Sequence, residues 1–198
     1  MKYIHDKLSA VLAMLVFWIS TGTVLYLHDK PVNVVRIHPV SAEKIVAENL
    51  PKLPTTKELK LTKAITSIYK HINHQEAVRV VQLTFKHAKK HNISPTLALG
   101  LIAAESSFKN NAVSSVGAMG YTQVYPKYHR EKIKNRDLFK APVAIEVGMQ
   151  ILSDCINRRE SIKSALACYN GATTDDSIER YYEKVMKRKE QILQLAAL

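Results

Sequence analysis

Hydrophobic positions fall into two regimes along this chain. Leu8 to Leu27 reads LSAVLAMLVFWISTGTVLYL, 20 residues without a charge, which is the length of one helix across a ~30 Å hydrocarbon core. From Lys57 onward, apolar residues instead recur every three or four positions, the period of amphipathic helices. Leu61, Ile65, Ile68 and Ile72 mark a first helix. Val78, Val81, Phe85 and Ala88 mark a second, from about His74 to His91, with Asn73 before it as a cap. Ser94 followed by Pro95 is a strong start signal, and it opens a third helix that runs to Phe108. Pro142 opens another to about Asn157, and Ile162 to Tyr169 is stopped by Asn170-Gly171. Ile178, Tyr181, Tyr182, Val185, Ile192 and Leu193 predict the last. The stretch from Asn110 to Pro126, with Gly117 and Gly120, reads as a loop with short extended pieces. No segment carries a convincing alternating run, so the prediction is an all-α domain over residues 57–198.

The two regimes are joined by residues 31–56, where Pro31, Pro39, Pro51 and Pro54 break helices and favour an extended stalk. Residues 1–30 are predicted to be a membrane anchor, with Lys2 and Lys7 on one side of the apolar run and Lys30 and Arg36 on the other. A cleaved leader is the competing reading. The small residues Ser20 to Thr23 could serve as its processing site, but Val24-Leu25-Tyr26-Leu27 then resumes the apolar run.

Composition removes several classes. Two cysteines exclude a disulfide-dense scaffold and a Cys₄ metal site. One Trp and four Phe argue against an aromatic platform for nucleic acid. Net charge is +12, from 29 Lys and Arg against 17 Asp and Glu, so the partner sought is anionic.

One acid stands out. Glu105 is the only Asp or Glu in residues 77–130. At 100° per residue it falls on the apolar face of its helix, between Leu101 and Ala98. Apolar surroundings disfavour the charged form, and the negative end of the helix dipole opposes it further. Both raise the pKa, as a general acid requires.

The residues around it carry a resemblance. Glu105-Ser106-Ser107-Phe108, Asn111-Ala112-Val113-Ser114 and Gly117-Ala118-Met119-Gly120-Tyr121-Thr122-Gln123 resemble the signature of the soluble-lytic-transglycosylase family, of the lysozyme-like superfamily. Ile93 to Leu97 is similar to its lead-in, Ala144 to Leu152 to its middle segment, and Ala165 to Gly171 to its Tyr-Asn block. The chain departs from the pattern at Tyr121-Thr122, where Leu-Met is common, at Ala144, where Asn is usual, and at Cys168. The first of these departures is expected to change the polarity of a cleft-lining loop.

The resemblance implies a lysozyme-like helical domain that cleaves the MurNAc-β-1,4-GlcNAc bond of peptidoglycan. Glu105 would act as acid and then base, giving 1,6-anhydro ends with no cofactor and no metal. Gln123, Tyr169, Asn170, Ser106, Ser114 and Gly120 would contact or support the sugar. A hydrolytic route would need a second acid, for which Glu131, Asp137 and Glu146 are candidates. A non-catalytic wall-binding scaffold is the rival from another class. The implied setting is the cytoplasmic membrane, single-pass with the N-terminus inside and the domain outside, serving a secretion, conjugation or phage assembly. A secreted or virion-associated protein is the alternative.

Three weaker constellations remain. His87 and His91 stand one turn apart, a spacing that can share a metal, but Lys86, Lys89 and Lys90 make a solvated basic helix end the better reading. Cys155 and Cys168 flank a predicted helix hairpin and are either bridged or two buried thiols. Lys127, Arg130, Lys132, Lys134, Arg136 and Lys140 cluster after the loop and suit an acidic polymer, and no recognised nucleic-acid-binding motif accompanies them.

Overall fold

The computed structural model describes residues 53–197. The expected anchor Leu8–Leu27 and nearly all of the stalk lie outside the described residues. Among those described, no helix is long and apolar enough to cross a membrane.

Seven α-helices follow in order: α1 Thr56–Ile68, α2 His74–Lys90, α3 Pro95–Ser106, α4 Arg130–Ile133, α5 Ala141–Arg158, α6 Ile162–Asn170 and α7 Asp175–Ala197. A 3₁₀ turn, Pro126–Tyr128, precedes α4. No strand forms among the described residues, and the extended pieces of the loop are two isolated bridges, Val113–Met119 and Met119–Val124. The starts follow from local chemistry. Thr55 and Glu58 form a capping box for α1, Asn73 accepts from the Glu76 amide at 2.9 Å, and Ser161 and Ser164 cap α6 reciprocally. Each cap satisfies backbone amides that have no partner within the helix.

Two helix ends differ from the periodic reading. α1 stops at Ile68, so Ile72 lies beyond a turn, though still 7% exposed. α3 stops at Ser106 because Ser107 and Phe108 take left-handed conformations, φ 51° and 61°. That break turns Phe108 inward onto Tyr69, ring centroids 5.1 Å apart.

The larger surprise is α3 itself. Every residue from Leu97 to Ala104 is buried, so this is a central helix surrounded by others rather than one with a wet side. It is packed against α7 and α2. A Cβ at Gly100 would lie 2.7 Å from the Lys189 Cβ and 2.9 Å from the Val185 carbonyl, so only glycine permits this approach. Gly100 faces 185–189 while Glu105 meets Tyr181. The two helices therefore run antiparallel, and the close crossing sets which α7 side chain reaches the acid.

A second, smaller core of Val124, Ile133, Leu138, Val147 and Ile151 pins the 110–140 segment to α5. Tyr169 packs against both cores. Cys155 and Cys168 are bridged, Cα atoms 5.8 Å apart, tying α5 to α6.

The basic end expected for α2 is solvated at Lys86, Lys89 and Lys90, which are exposed, but not at His87. His87 is only 8% exposed, and burial holds its imidazole below the ordinary pKa. Among the described residues no group of three or more His, Cys, Asp or Glu is arranged to hold a metal.

Candidate active site

Glu105 ends the buried rod of α3 and opens onto a cleft of about 490 Å³. One wall comes from the loop, with Ser114, Val116 and Gln123; another comes from α6, with Tyr169 and Asn170; Tyr125, Tyr128 and His129 close a flank. A larger groove, about 930 Å³, lies between the α1 and α3 starts and α2. Its single carboxylate, Glu58, is already bound to the Thr55 amide and hydroxyl as a cap, so acid chemistry belongs to the smaller cleft.

Burial pushes the Glu105 carboxyl above the ordinary carboxylate pKa, against a weaker opposing pull from the Tyr181 hydroxyl and then from Lys184. Tyr181 donates a hydrogen bond to Glu105 Oε1. Its own hydroxyl is held well above its usual pKa by burial and by the Glu105 charge, so it stays a donor. The neighbouring cation is Lys184 on α7, not Lys109, the only base one turn ahead in sequence, which is exposed.

The predicted partners separate into two groups. Gln123 lies in the left-handed region, φ 47°, and its Nε2 donates to the Ala112 and Gly120 carbonyls at 3.1 and 3.0 Å. With both amide protons committed, its Oε1 is the atom left to engage a ligand. Tyr169 donates to the Thr122 carbonyl at 2.7 Å. Burial and the nearby Glu105 charge raise its hydroxyl pKa. Asn170 is exposed at the mouth, on the last residue of α6 before Gly171 turns the chain at φ 80°. Ser114 accepts from the Ala118 amide at 3.0 Å and closes the loop beside the cleft.

Ser106 and Gly120 do not line the cleft. The Ser106 hydroxyl is buried and donates to the Ile102 and Tyr121 carbonyls at 3.2 and 2.8 Å, so it clamps the loop onto α3. At Gly120 a Cβ would sit 2.2 Å from the Leu138 carbonyl, a constraint set by protein backbone rather than by sugar. Tyr121 and Thr122, expected to alter cleft polarity, are buried at 1% and 0% exposure. Tyr121 donates to Glu76 at 2.9 Å, and Thr122 donates to the Ala144 carbonyl at 2.7 Å while seated against Gly148. Two departures from the family pattern, at 122 and 144, thus meet at one contact.

The candidate second acids are placed elsewhere. Glu146 is ion-paired with Arg136 at 2.7 Å, which holds its carboxyl below the usual range. Asp137 accepts from the Phe139 amide at 2.8 Å, and Glu131 is 67% exposed beside Lys132. Glu105 is the one carboxylate lining the cleft among the described residues. Sequence reasoning missed Tyr181 as a site residue, because its position on an apolar stripe is what any core tyrosine shows. It also missed the 3₁₀ turn that brings Tyr125, Tyr128 and His129 to the cleft.

Residues 82–193 match the family described as the transglycosylase SLT domain. The chain is also similar to a protein named transglycosylase from Enterobacteria phage PRD1, 28% identical over 102 residues. That similarity covers 50% of this chain and 38% of the phage protein, so the chain spans well under half the length of that relative.

Proposed function

The chain belongs to the transglycosylase SLT family, and from that membership we propose that it is a peptidoglycan lytic transglycosylase cleaving the MurNAc-β-1,4-GlcNAc bond. The observation that carries this reading is a single raised-pKa carboxyl, Glu105, alone among acids in a cleft with Gln123, Tyr169 and Asn170. One acid suffices for the lytic route. Protonated Glu105 gives its proton to the glycosidic oxygen as that bond breaks, and the substrate's N-acetyl group supports the cationic anomeric carbon. The carboxylate then takes the proton of the muramic 6-hydroxyl, which attacks that carbon and closes the 1,6-anhydro ring. Hydrolysis by two flanking carboxylates needs a second acid within about 10 Å across the bond, and among the described residues the cleft is lined by no second one.

In this reading Tyr181 orients Glu105 and tunes its proton affinity, while Gln123, Tyr169 and Asn170 hold the sugar. Leu8–Leu27 tethers the domain outside the cytoplasmic membrane, where wall opening serves a secretion, conjugation or phage assembly. The test is digestion of purified sacculi with the full chain and mass analysis of the fragments. Anhydro-ended muropeptides are the expected product. Reducing ends would replace the lytic route by a hydrolytic one, and undigested sacculi with protein bound would favour a scaffold.

A second measurement addresses Tyr181. Its hydrogen bond favours the ionised form of Glu105 and so lowers that pKa. Tyr181→Phe removes the bond, raises the pKa further and leaves the carboxyl less well oriented. We expect a turnover loss of about tenfold, with the alkaline limb of the pH–rate profile moved to higher pH. A limb that stays in place, or moves to lower pH, would remove Tyr181 from this role.

A further inference from the structure

We propose that the turn from Tyr125 to Arg130 forms a carboxylate-binding subsite beside the cleft, where Lys127 and Arg130 hold acidic groups of the peptide stems on the glycan. The proposal rests on the reading of this cleft as a peptidoglycan site. Six cations lie between residues 127 and 140, but they are not equivalent. Lys132 is paired with Asp154 at 2.8 Å and Arg136 with Glu146 at 2.7 Å. Lys127, Arg130, Lys134 and Lys140 are exposed and form no ion pair among the described residues. Two of these four adjoin the cleft wall in sequence: Lys127 precedes Tyr128, and Arg130 follows His129, both of which line it.

The geometry at Lys127 is partly built. Its ammonium lies 5.8 Å from the centroid of the Tyr128 ring, a contact that restrains a long side chain at little cost in exposure. Tyr128 is 64% exposed and stands edge-on to Tyr125, centroids 5.0 Å apart and planes at 86°. The result is an aromatic step with a cation on it at the rim of a cleft that holds one acid. Such a rim is complementary to anions. The sugar hydroxyls and amides of the glycan are neutral, so its carboxylates are what these cations can read. They come from two sources, the stem peptide or the lactyl group left when the stem has been removed. The stem carries its carboxylates farther from the ring, toward a rim outside the sugar cleft, and is the source we assign.

The test uses the full chain in detergent with Glu105→Gln to prevent turnover, and end-labelled glycan strands either bearing stems or stripped by an amidase. Exposed ion pairs contribute only severalfold each, so at low salt we expect about tenfold tighter binding of the stem-bearing strand, with the gap falling to about twofold or less in Lys127→Glu/Arg130→Glu. Melting curves check that the double variant is folded. Equal affinity for the two strands, or a gap that survives the double charge reversal, would overturn the subsite. Stem-dependent binding by a chain whose parent yields no anhydro ends would sink the lytic reading and leave the subsite standing. Anhydro ends with stem-independent binding would do the reverse.

Discussion

Replacing Glu105 by Gln lowers the rate of anhydro-muropeptide release from sacculi by about 10³-fold, the scale of a lost general acid–base group, while the protein stays folded. The substitution is nearly isosteric, and the Gln carbonyl oxygen still accepts from Tyr181. Stability moves the other way, and its pH dependence is the sharper test. Glu105 has a raised pKa in the folded state, against about 4.3 in an unfolded chain. Its stabilising protonation is therefore fully present below about pH 4.3 and is lost as pH rises through the folded pKa. Gln has no such titration. The melting temperature of Glu105→Gln minus that of the parent should increase from pH 4 to pH 8. A difference independent of pH would mean that the carboxyl is not raised, and the acid role would fail with it. A variant that retains most of the parent activity would move the chemistry to another group altogether.

The helix starts were legible because each rests on chemistry within four residues. Asn73 before α2 and Ser94 with Pro95 before α3 are read without tertiary information, and Thr55 with Glu58 carries an equally local signal that the periodic reading passed over. Helix ends were less so. α3 ends where Ser107 and Phe108 turn left-handed, and nothing in Ser-Ser-Phe announces this, since it accompanies the burial of Phe108 against Tyr69, the residue just after α1. The raised acid was legible too, but for a reason that needed revision. The sequence places Glu105 on the dry face of its helix, whereas it stands in the last turn of a helix buried all round. Tyr181 could not be read at all. Its contact with Glu105 spans 76 positions and depends on the close helix crossing at Gly100.

The departures Tyr121 and Thr122 show the same limit. Sequence position beside Gln123 suggested a cleft lining, but successive residues of a tight turn point different ways. Gln123 faces the cleft while Tyr121 and Thr122 anchor it from behind, through Glu76 and the Ala144 carbonyl. The two polar side chains act on the cleft through the backbone: Tyr169 donates to the carbonyl of Thr122 itself. Loop, α5 and α6 thus converge on one residue. A change at 122 should be felt at Tyr169, with no contact between the Thr122 side chain and the sugar.

The largest stability loss is expected at Gly120, and a matched control separates its two causes. Gly120 has φ 75°, its amide donates to the Ala112 carbonyl at 2.9 Å, and its carbonyl receives both the Gln123 amide and the Gln123 side chain. A Cβ here meets the Leu138 carbonyl at 2.2 Å and the Ala144 Cβ at 3.3 Å. Leu138 belongs to the second core, so backbone must move in the element that pins the loop. A left-handed Ala costs about 1–2 kcal/mol, and forcing extra volume into packed surroundings adds about 1–3 kcal/mol. Gly120→Ala should therefore lose about 2–5 kcal/mol in urea unfolding, a large share of the ~5–15 kcal/mol that holds a domain. Gly171 has nearly the same φ, 80°, but nothing within 4 Å of its added Cβ. Gly171→Ala should lose only the backbone part, about 1–2 kcal/mol. If the two variants unfold at the same urea concentration, the Leu138 contact does not constrain the loop. If Gly120→Ala is the weaker by the stated margin, the glycine is held by the second core, and the placement of Gln123 in the cleft depends on it.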